Sequence, residues 1–373
     1  MERIYRFFFD FYGMEGIMEM LIRKDDSPMN ARRYKCPSCG AGLEFDSTLQ
    51  EMKCPYCQSV FPVEDFMDDT PSEGTQQAPG TDQFGIYHCE TCGAEIIAEE
   101  STAATNCPYC SNPVILTGKV SGDLMPDYII PFKLDKEAAK AALRKHLKGR
   151  KLLPKVFTSE HHLDEVKGVY VPFWLFDTTA EASASYAMTR TRTWSDGSYQ
   201  YTETSSYEAL RSGRINFENV PADGARKMAD DLMESLETFD FQSAVPFDPV
   251  YLSGYFADKY DVSAEESYDR IAKRIDTSAF DALLDTVQGY ETVRKTGGDV
   301  TLHNTNIKYA MYPVWVLNTT WRGQNYRFAM NGQTGKFVGD LPIDNLAYWK
   351  WRLLYGLGFA GVLYGAMWAL GIL

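Results

Sequence analysis

Eight cysteines, all in the first third of the chain, are the residues with the clearest chemistry. They form two copies of the spacing C-x2-C-x14-C-x2-C, and the second copy lies 53 residues after the first. Each C-x2-C pair makes a tight knuckle with two thiolates, and a hairpin between two knuckles brings all four sulfurs to one ion. The predicted ligands of two structural Zn²⁺ ions are Cys36, Cys39, Cys54 and Cys57 at the first site and Cys89, Cys92, Cys107 and Cys110 at the second.

Two other uses of paired cysteines fit less well. Disulfides require an oxidising compartment, and the N-terminal residues lack the pattern of a secretory signal. A thioredoxin-like redox motif would occur once, between a strand and a helix. His88 is an alternative ligand beside Cys89, but each site already has four thiolates. We therefore expect closed sites that stabilise the fold and catalyse nothing.

The formal charge of −14 is concentrated around the cysteines. Residues 36–118 contain one basic and thirteen acidic side chains. Residues 119–373 contain twenty-nine basic and thirty-two acidic side chains, so they are close to neutral. Proteins that bind nucleic acid without sequence preference neutralise phosphates with lysine and arginine. The charge therefore disfavours nucleic acid as a ligand and favours a basic or neutral protein partner, although a nucleic-acid-binding ribbon protein of replication or transcription remains the alternative.

The sequence predicts a multidomain protein, in which the cysteines lie in small domains of their own. We expect small β ribbons around the cysteines, joined by a linker rich in acidic residues, proline and glycine, so that the ribbons behave as beads on a flexible string. A folded α+β domain and an apolar segment complete the chain. The predicted segments are an N-terminal extension (1–33), zinc ribbon 1 (34–63), an acidic flexible linker (64–86), zinc ribbon 2 (87–118), the α+β domain (119–347) and a transmembrane anchor (348–373).

Within the α+β domain, apolar periodicity predicts helices at 135–147, 222–236 and 263–284. A buried strand is predicted at 168–179 and a further β region at 307–338. Turns are expected at Asp196-Gly197, Arg322-Gly323 and Asn331-Gly332.

The same domain contains an internal repeat. Pro172-Phe-Trp174 matches Pro313-Val-Trp315 at an offset of 141 residues. We interpret this as a duplicated unit of one helix followed by antiparallel strands. The two tryptophans are expected in the core, with a shared groove for a peptide or a lipid as the alternative.

The C-terminal segment 353–373 has no charged residue over twenty-one positions. A helix of that length is about 31 Å long, enough to cross a bilayer core of about 30 Å. Lys350 and Arg352 predict that its start faces the cytoplasm. The sequence thus predicts a single-pass protein of the cell membrane with its N-terminal bulk in the cytoplasm, contacting the bilayer through 353–373. Gly361 and Gly365 allow homo- or hetero-oligomers through this helix.

Three common catalytic motifs are absent from the sequence. A Walker A sequence, a G-x-S-x-G elbow and an H-E-x-x-H helix are all absent, and His161, His162 and His303 have no cysteine nearby in the sequence. We therefore expect no enzyme, with a membrane-bound enzyme of unknown chemistry as a further alternative.

The two CPYC ribbons, the Pro-x-Trp strands and the run AMNGQTGKFVGDLP resemble a family of bacterial membrane proteins with TFIIB-type zinc ribbons. Members are sometimes labelled replication-restart-helicase-like or phage-replisome-like. The resemblance covers the chain from Tyr34 onward and implies a link to the membrane-stress systems of phage-shock protein A and SPFH-type scaffold proteins. It implies a membrane-anchored adaptor that holds soluble partners of these two kinds at the cytoplasmic face, in stress response or membrane remodelling.

Overall fold

The computed structural model of the chain describes residues 29–67, 84–88, 95–99, 102–106, 113–116, 125–159 and 163–370. Within these residues the protein is mostly β-sheet with four helices, so the predicted fold class, in which an α+β domain ends in a transmembrane helix, is wrong. The strands are β1 (Met29–Arg32), β2 (Glu44–Asp46), β3 (Glu51–Lys53), β4 (Val60–Phe61), β5 (Phe84–His88), β6 (Glu95–Glu99), β7 (Thr102–Asn106), β8 (Pro113–Leu116), β9 (Tyr128–Ile129), β10 (Lys167–Ser195), β11 (Gln200–Asp223), β12 (Val245–Pro246), β13 (Phe256–Asp258), β14 (Thr292–Trp321), β15 (Gln324–Asn331) and β16 (Phe337–Gly339). The helices are α1 (Lys136–Leu147), α2 (Asp230–Leu236), α3 (Ala264–Asp285) and α4 (Asn345–Ala369).

Two sheets organise the described residues. Strands β2, β3 and β4 form a small antiparallel sheet, which is the first ribbon. The other thirteen strands form one large sheet whose main path runs β12-β9-β14-β10-β13-β7-β8-β1-β5-β6. Strand β11 pairs with β10, and β15 and β16 extend the sheet from β14. We call the large sheet and the helices packed on it the body.

Three very long strands give the body an extended part. Strands β10, β11 and β14 have 29, 24 and 30 residues, and β10 lies in the middle with antiparallel partners on both sides. We call residues 178–217 and 292–305 the arm. Helix α3 covers one face of the arm and buries the even-numbered side chains of β10, from Ala180 to Met188. The opposite face is open to solvent.

The core of the body is rich in aromatic residues. Phe132 stacks on Tyr255 with ring centroids 4.3 Å apart and meets Trp315 at 5.1 Å. The Trp315 indole donates to the Leu134 carbonyl, and the Trp174 indole donates to the Val262 carbonyl. Both indole N–H groups are thus hydrogen-bonded to main-chain carbonyls, and Trp315 also lines a cleft between the first ribbon and the body. The duplication itself stays a prediction.

Helices α1 and α3 begin and end within a residue of their predicted bounds, because each has a capping side chain. The Asp135 carboxylate accepts from the Ala138 N–H, and the Ser263 hydroxyl accepts from the Glu266 N–H. The helix predicted at 222–236 is wrong in its first half. Strand β11 continues to Asp223, and only Asp230–Leu236 is helical.

The predicted C-terminal transmembrane helix is wrong, and with it the anchor at 348–373. Helix α4 occupies this part of the chain, but no helix in the described residues is both long enough and apolar enough to cross a membrane. Four glycines and several tyrosine and tryptophan side chains dilute the apolar character of α4, although it has no charge after Arg352. Three further predictions are wrong for the same reason. They are the tail-anchored, single-pass location, the bilayer contact through 353–373 and oligomerisation through a membrane helix.

Candidate metal centre

The first four cysteines converge on one point. Their sulfur atoms all lie within 4.8 Å of one another, with Cys36 Sγ 3.6 Å from Cys57 Sγ and Cys39 Sγ 3.5 Å from Cys54 Sγ. In a tetrahedral zinc site with Zn–S bonds of about 2.3 Å, the sulfurs are about 3.8 Å apart. The donor set and its spacing therefore fit a zinc ion, and this cluster can hold one.

Main-chain hydrogen bonds hold both knuckles in shape independently of a bound ion. In the first, the Gly40 N–H donates to the Cys36 carbonyl at 2.8 Å, and Gly40 has a positive φ of 74°. In the second, the Gln58 N–H donates to the Cys54 carbonyl at 2.9 Å, and Gln58 also has a positive φ, of 62°. Both knuckles thus end in the same left-handed turn, the first with glycine, which adopts this conformation readily, and the second without it.

Two of the four thiols, Cys57 and Cys39, have pKa values shifted in opposite directions. The neighbouring Ser59 hydroxyl and N–H lower the pKa of Cys57 to about 6. The Ala41 N–H lowers the pKa of Cys39, but desolvation and the three neighbouring sulfurs outweigh it and raise that pKa to about 12. Four thiolates this close repel one another, so a bound divalent cation is the natural way to stabilise the deprotonated set.

The buried apolar side chains of the first ribbon are few, and they belong to the same cluster as the core of the body. Leu43 and Met52 are fully buried, and Phe66 meets the Tyr34 and Phe61 rings edge-on at 6.2 Å and 6.0 Å. So few apolar side chains give little folding energy, which a structural metal supplements.

The first ribbon is docked on the body and is not a separate bead. The Ser253 hydroxyl donates to the Leu43 carbonyl at 2.6 Å, and the Phe45 N–H donates to the Ser253 carbonyl at 3.0 Å. The Phe45 ring contacts the Tyr251 ring edge-on at 5.2 Å. The beads-on-a-string expectation therefore does not hold for this ribbon.

A cleft of about 650 Å³ lies where the first ribbon meets the body. Five of its lining residues carry carboxylates, among them Glu44 and Asp46 from the ribbon and Asp164 from the body. Desolvation raises the pKa of Glu44. Residues far apart in the sequence form this cleft, so no local pattern could have predicted it.

The remaining predicted ligands, Cys89, Cys92, Cys107 and Cys110, lie outside the described residues. The strands around them, β5 to β8, are described and join the edge of the large sheet. His88 ends β5, where it pairs with Glu95 of β6. The second site therefore stays a prediction.

Sequence reasoning missed the exposed aromatic side chains at the end of the arm. Trp194, Tyr199 and Tyr201 surround the β10–β11 hairpin and are 44%, 70% and 41% exposed. The available signal was the placement of three aromatics within eight residues around the turn at Asp196-Gly197.

Fold and site together define a mostly β protein whose described residues include one tetracysteine cluster able to hold zinc. The chain is 34% identical over 337 residues to the uncharacterized protein YdjG of Bacillus subtilis strain 168, and the match covers 90% of this chain and 96% of that protein. The chain belongs to the family of YdjG. No family model and no solved structure matches it.

Proposed function

We propose that this protein is an adaptor that binds protein partners through the end of its arm, while its zinc ribbons serve structural roles. One observation carries the proposal: an exposed aromatic cluster lies at the far end of the arm. Tryptophan, tyrosine and arginine contribute most of the binding energy in protein interfaces. The end of the arm combines all three.

The aromatic cluster is held in a fixed arrangement. The Trp194 and Tyr201 rings stack with centroids 5.6 Å apart and an interplanar angle of 15°. The Arg192 guanidinium lies 5.6 Å from the Trp194 ring. The Asp196 carboxylate accepts from the Tyr199 N–H at 2.9 Å and from the Tyr201 hydroxyl at 2.9 Å. A pre-organised surface loses little conformational entropy on binding, which favours an interaction role.

The charge of the arm also favours a protein partner. Residues 178–217 and 292–305 contain six basic and five acidic side chains, so the arm is close to neutral. Binding to a phosphate backbone would require a clear excess of basic residues.

The two ribbons enter the proposal as structural units. The cluster of Cys36, Cys39, Cys54 and Cys57 uses four thiolates and leaves no coordination position for a substrate. By the repeated spacing, Cys89, Cys92, Cys107 and Cys110 bind a second zinc ion, which gives two ions per chain.

The resemblance to bacterial zinc-ribbon proteins of membrane-stress systems supports two kinds of partner. These are a phage-shock-protein-A-like membrane-remodelling protein and an SPFH-type scaffold protein. In this proposal the adaptor holds one or both of them in a stress-response complex.

The test is a binding titration of the purified full-length chain against each of these two partners, immobilised separately. The double variant Trp194→Ala, Tyr199→Ala should weaken the affinity at least tenfold, because each is a candidate hot spot. Trp349→Ala is the matched control, since Trp349 is an exposed aromatic of α4, outside the arm and the cysteine cluster. Equal binding by the double variant would contradict the proposal. Failure to bind either partner, together with salt-sensitive binding to a DNA duplex, would also contradict the proposal.

A further inference from the structure

The outer edge of β11 is a long strand edge of a kind that proteins usually protect. One side of β11 pairs with β10, and in the described part of the chain no strand pairs with the other side. Residues 200–217 contain no proline or lysine, and their pairing with β10 has no register shift. Proline, lysine and bulges are the usual means by which an edge strand avoids pairing with another chain.

A side-chain hydrogen bond to the main chain indicates which main-chain groups of β11 face away from β10. The Leu210 carbonyl accepts a hydrogen bond at 3.0 Å from the Arg211 side chain. This carbonyl therefore lies on the outer side of β11, away from the β10 ladder. Because alternate residues of a strand share one orientation, the N–H and carbonyl groups of Glu208, Leu210 and Ser212 form the outer row. The Arg211 side chain must leave the Leu210 carbonyl before another strand can pair there.

The charges along β11 are divided between its two halves. Residues 200–209 contain Glu203 and Glu208 and no basic residue, whereas residues 210–217 contain Arg211 and Arg214 and no acidic residue. If a second β11 paired with this edge in the antiparallel direction, the acidic half of each strand would face the basic half of the other. Opposite charges across strands stabilise such pairs.

One apolar side chain lies where the two halves of this edge meet. Leu210 is 79% exposed, on the open face of the arm opposite Ser185. Antiparallel strands place directly opposite residues on the same face. A two-fold axis through Leu210 therefore sets Leu210 against its own copy, Glu208 opposite Ser212 of the other copy, and Glu208 diagonal to Arg214 of the other copy.

From these features we infer that two copies of this chain form a symmetric dimer by pairing their β11 edges about Leu210. The occupant of the edge is a second copy because the strand is complementary to itself in charge, in its outward main-chain groups and in its central apolar residue. The two three-stranded arms then form one six-stranded sheet, which presents two aromatic clusters on one assembly. The dimer does not depend on the proposed partners, so it can be tested without them.

The experiment measures the mass of the zinc-loaded full-length chain by sedimentation equilibrium over a range of concentrations. The wild-type chain should be a dimer. Leu210→Glu places two like charges at the axis beside Glu208 and should raise the dissociation constant at least tenfold. Leu284→Glu is the control, because Leu284 is a partly exposed leucine of α3 outside the edge. That variant should remain dimeric.

Cross-linking tests the register of the strands. Hydrogen-bonded residues opposite each other in antiparallel strands have Cα atoms about 5.5 Å apart, a separation that suits a disulfide. Under mild oxidation, Leu210→Cys should form a covalent dimer, and Ser206→Cys should not, because its position lies opposite Arg214 of the other copy. A monomeric wild-type chain, an unchanged dissociation constant for Leu210→Glu, or equal cross-linking by the two cysteine variants would overturn the inference.

Discussion

Replacing Phe45 with alanine should separate the first ribbon from the body. Phe45 is 3% exposed, contacts Tyr251 edge-on at 5.2 Å, and lies in the small sheet beside the cysteine cluster. Removing a buried phenylalanine side chain costs about 3–5 kcal/mol, of which roughly 0.5–1.5 kcal/mol comes from the lost aromatic pair. Phe45 belongs to the ribbon and also contacts the body. We therefore expect its loss to expose the body surface beneath it at a lower free energy than global unfolding.

The assay is amide hydrogen exchange of the zinc-loaded protein, followed by urea unfolding. Phe45→Ala should speed exchange in residues 245–258, which contain the docking residues Tyr251 and Ser253, and should lower the free energy of unfolding by about 3 kcal/mol or more. The control is Phe61→Ala, since Phe61 is half-buried and packs on Phe66 within the ribbon. It should leave exchange in 245–258 unchanged. A Phe45→Ala protein with unchanged exchange there and a loss below about 1 kcal/mol would refute the docked arrangement.

Two further predictions concern the body. Gly298→Ala should destabilise the arm by about 1–3 kcal/mol, because the added Cβ would lie 2.5 Å from the Ser183 carbonyl oxygen. The control is Gly297→Ala, whose Cβ meets nothing within 4 Å, and this variant should be near neutral. Thermal unfolding measures both variants. Burial raises the pKa of Asp223 to about 6 despite nearby Arg270, so ionising it costs stability as the pH rises from about 4 to 6. Asp223→Asn should be up to about 3 kcal/mol more stable than wild type at pH 7.5 but not at pH 4.5 in urea unfolding, and an equal difference at both pH values would contradict this.

Local signals in the sequence predicted the parts of the fold that depend on local interactions. The aspartate and serine caps fixed the starts of α1 and α3, and the turn at Arg322-Gly323 joins β14 to β15 with a positive φ at both residues. The cysteine spacing predicted that Cys36, Cys39, Cys54 and Cys57 come together, because paired C-x2-C knuckles at this spacing are typical of a shared metal ion.

The length of the strands could not be predicted in the same way. The sequence indicated a strand at 168–179, but β10 continues to Ser195. Beyond Thr179 its buried positions are mainly small, with Ala182 and Ala184 facing α3. Alternating alanine with serine or threonine carries a weak hydrophobic signal, and only the tertiary contact with α3 makes these positions a core.

The error at the C terminus has a different cause. The absence of charge over 353–373 predicts membrane insertion, but glycine, tyrosine and tryptophan make a helix uncharged without making it strongly apolar. The docking of the first ribbon on Tyr251 and Ser253 was also hidden, because it joins residues about 200 positions apart with no shared local pattern.

The zinc content of the purified full-length chain tests the central claim most directly. Elemental analysis should find two zinc ions per chain, and one in the Cys36→Ser, Cys39→Ser variant, which removes half of the described ligands. A matched Cys89→Ser, Cys92→Ser variant should also retain one. A wild-type chain without zinc, or a Cys36→Ser, Cys39→Ser variant that keeps the full content, would contradict the account.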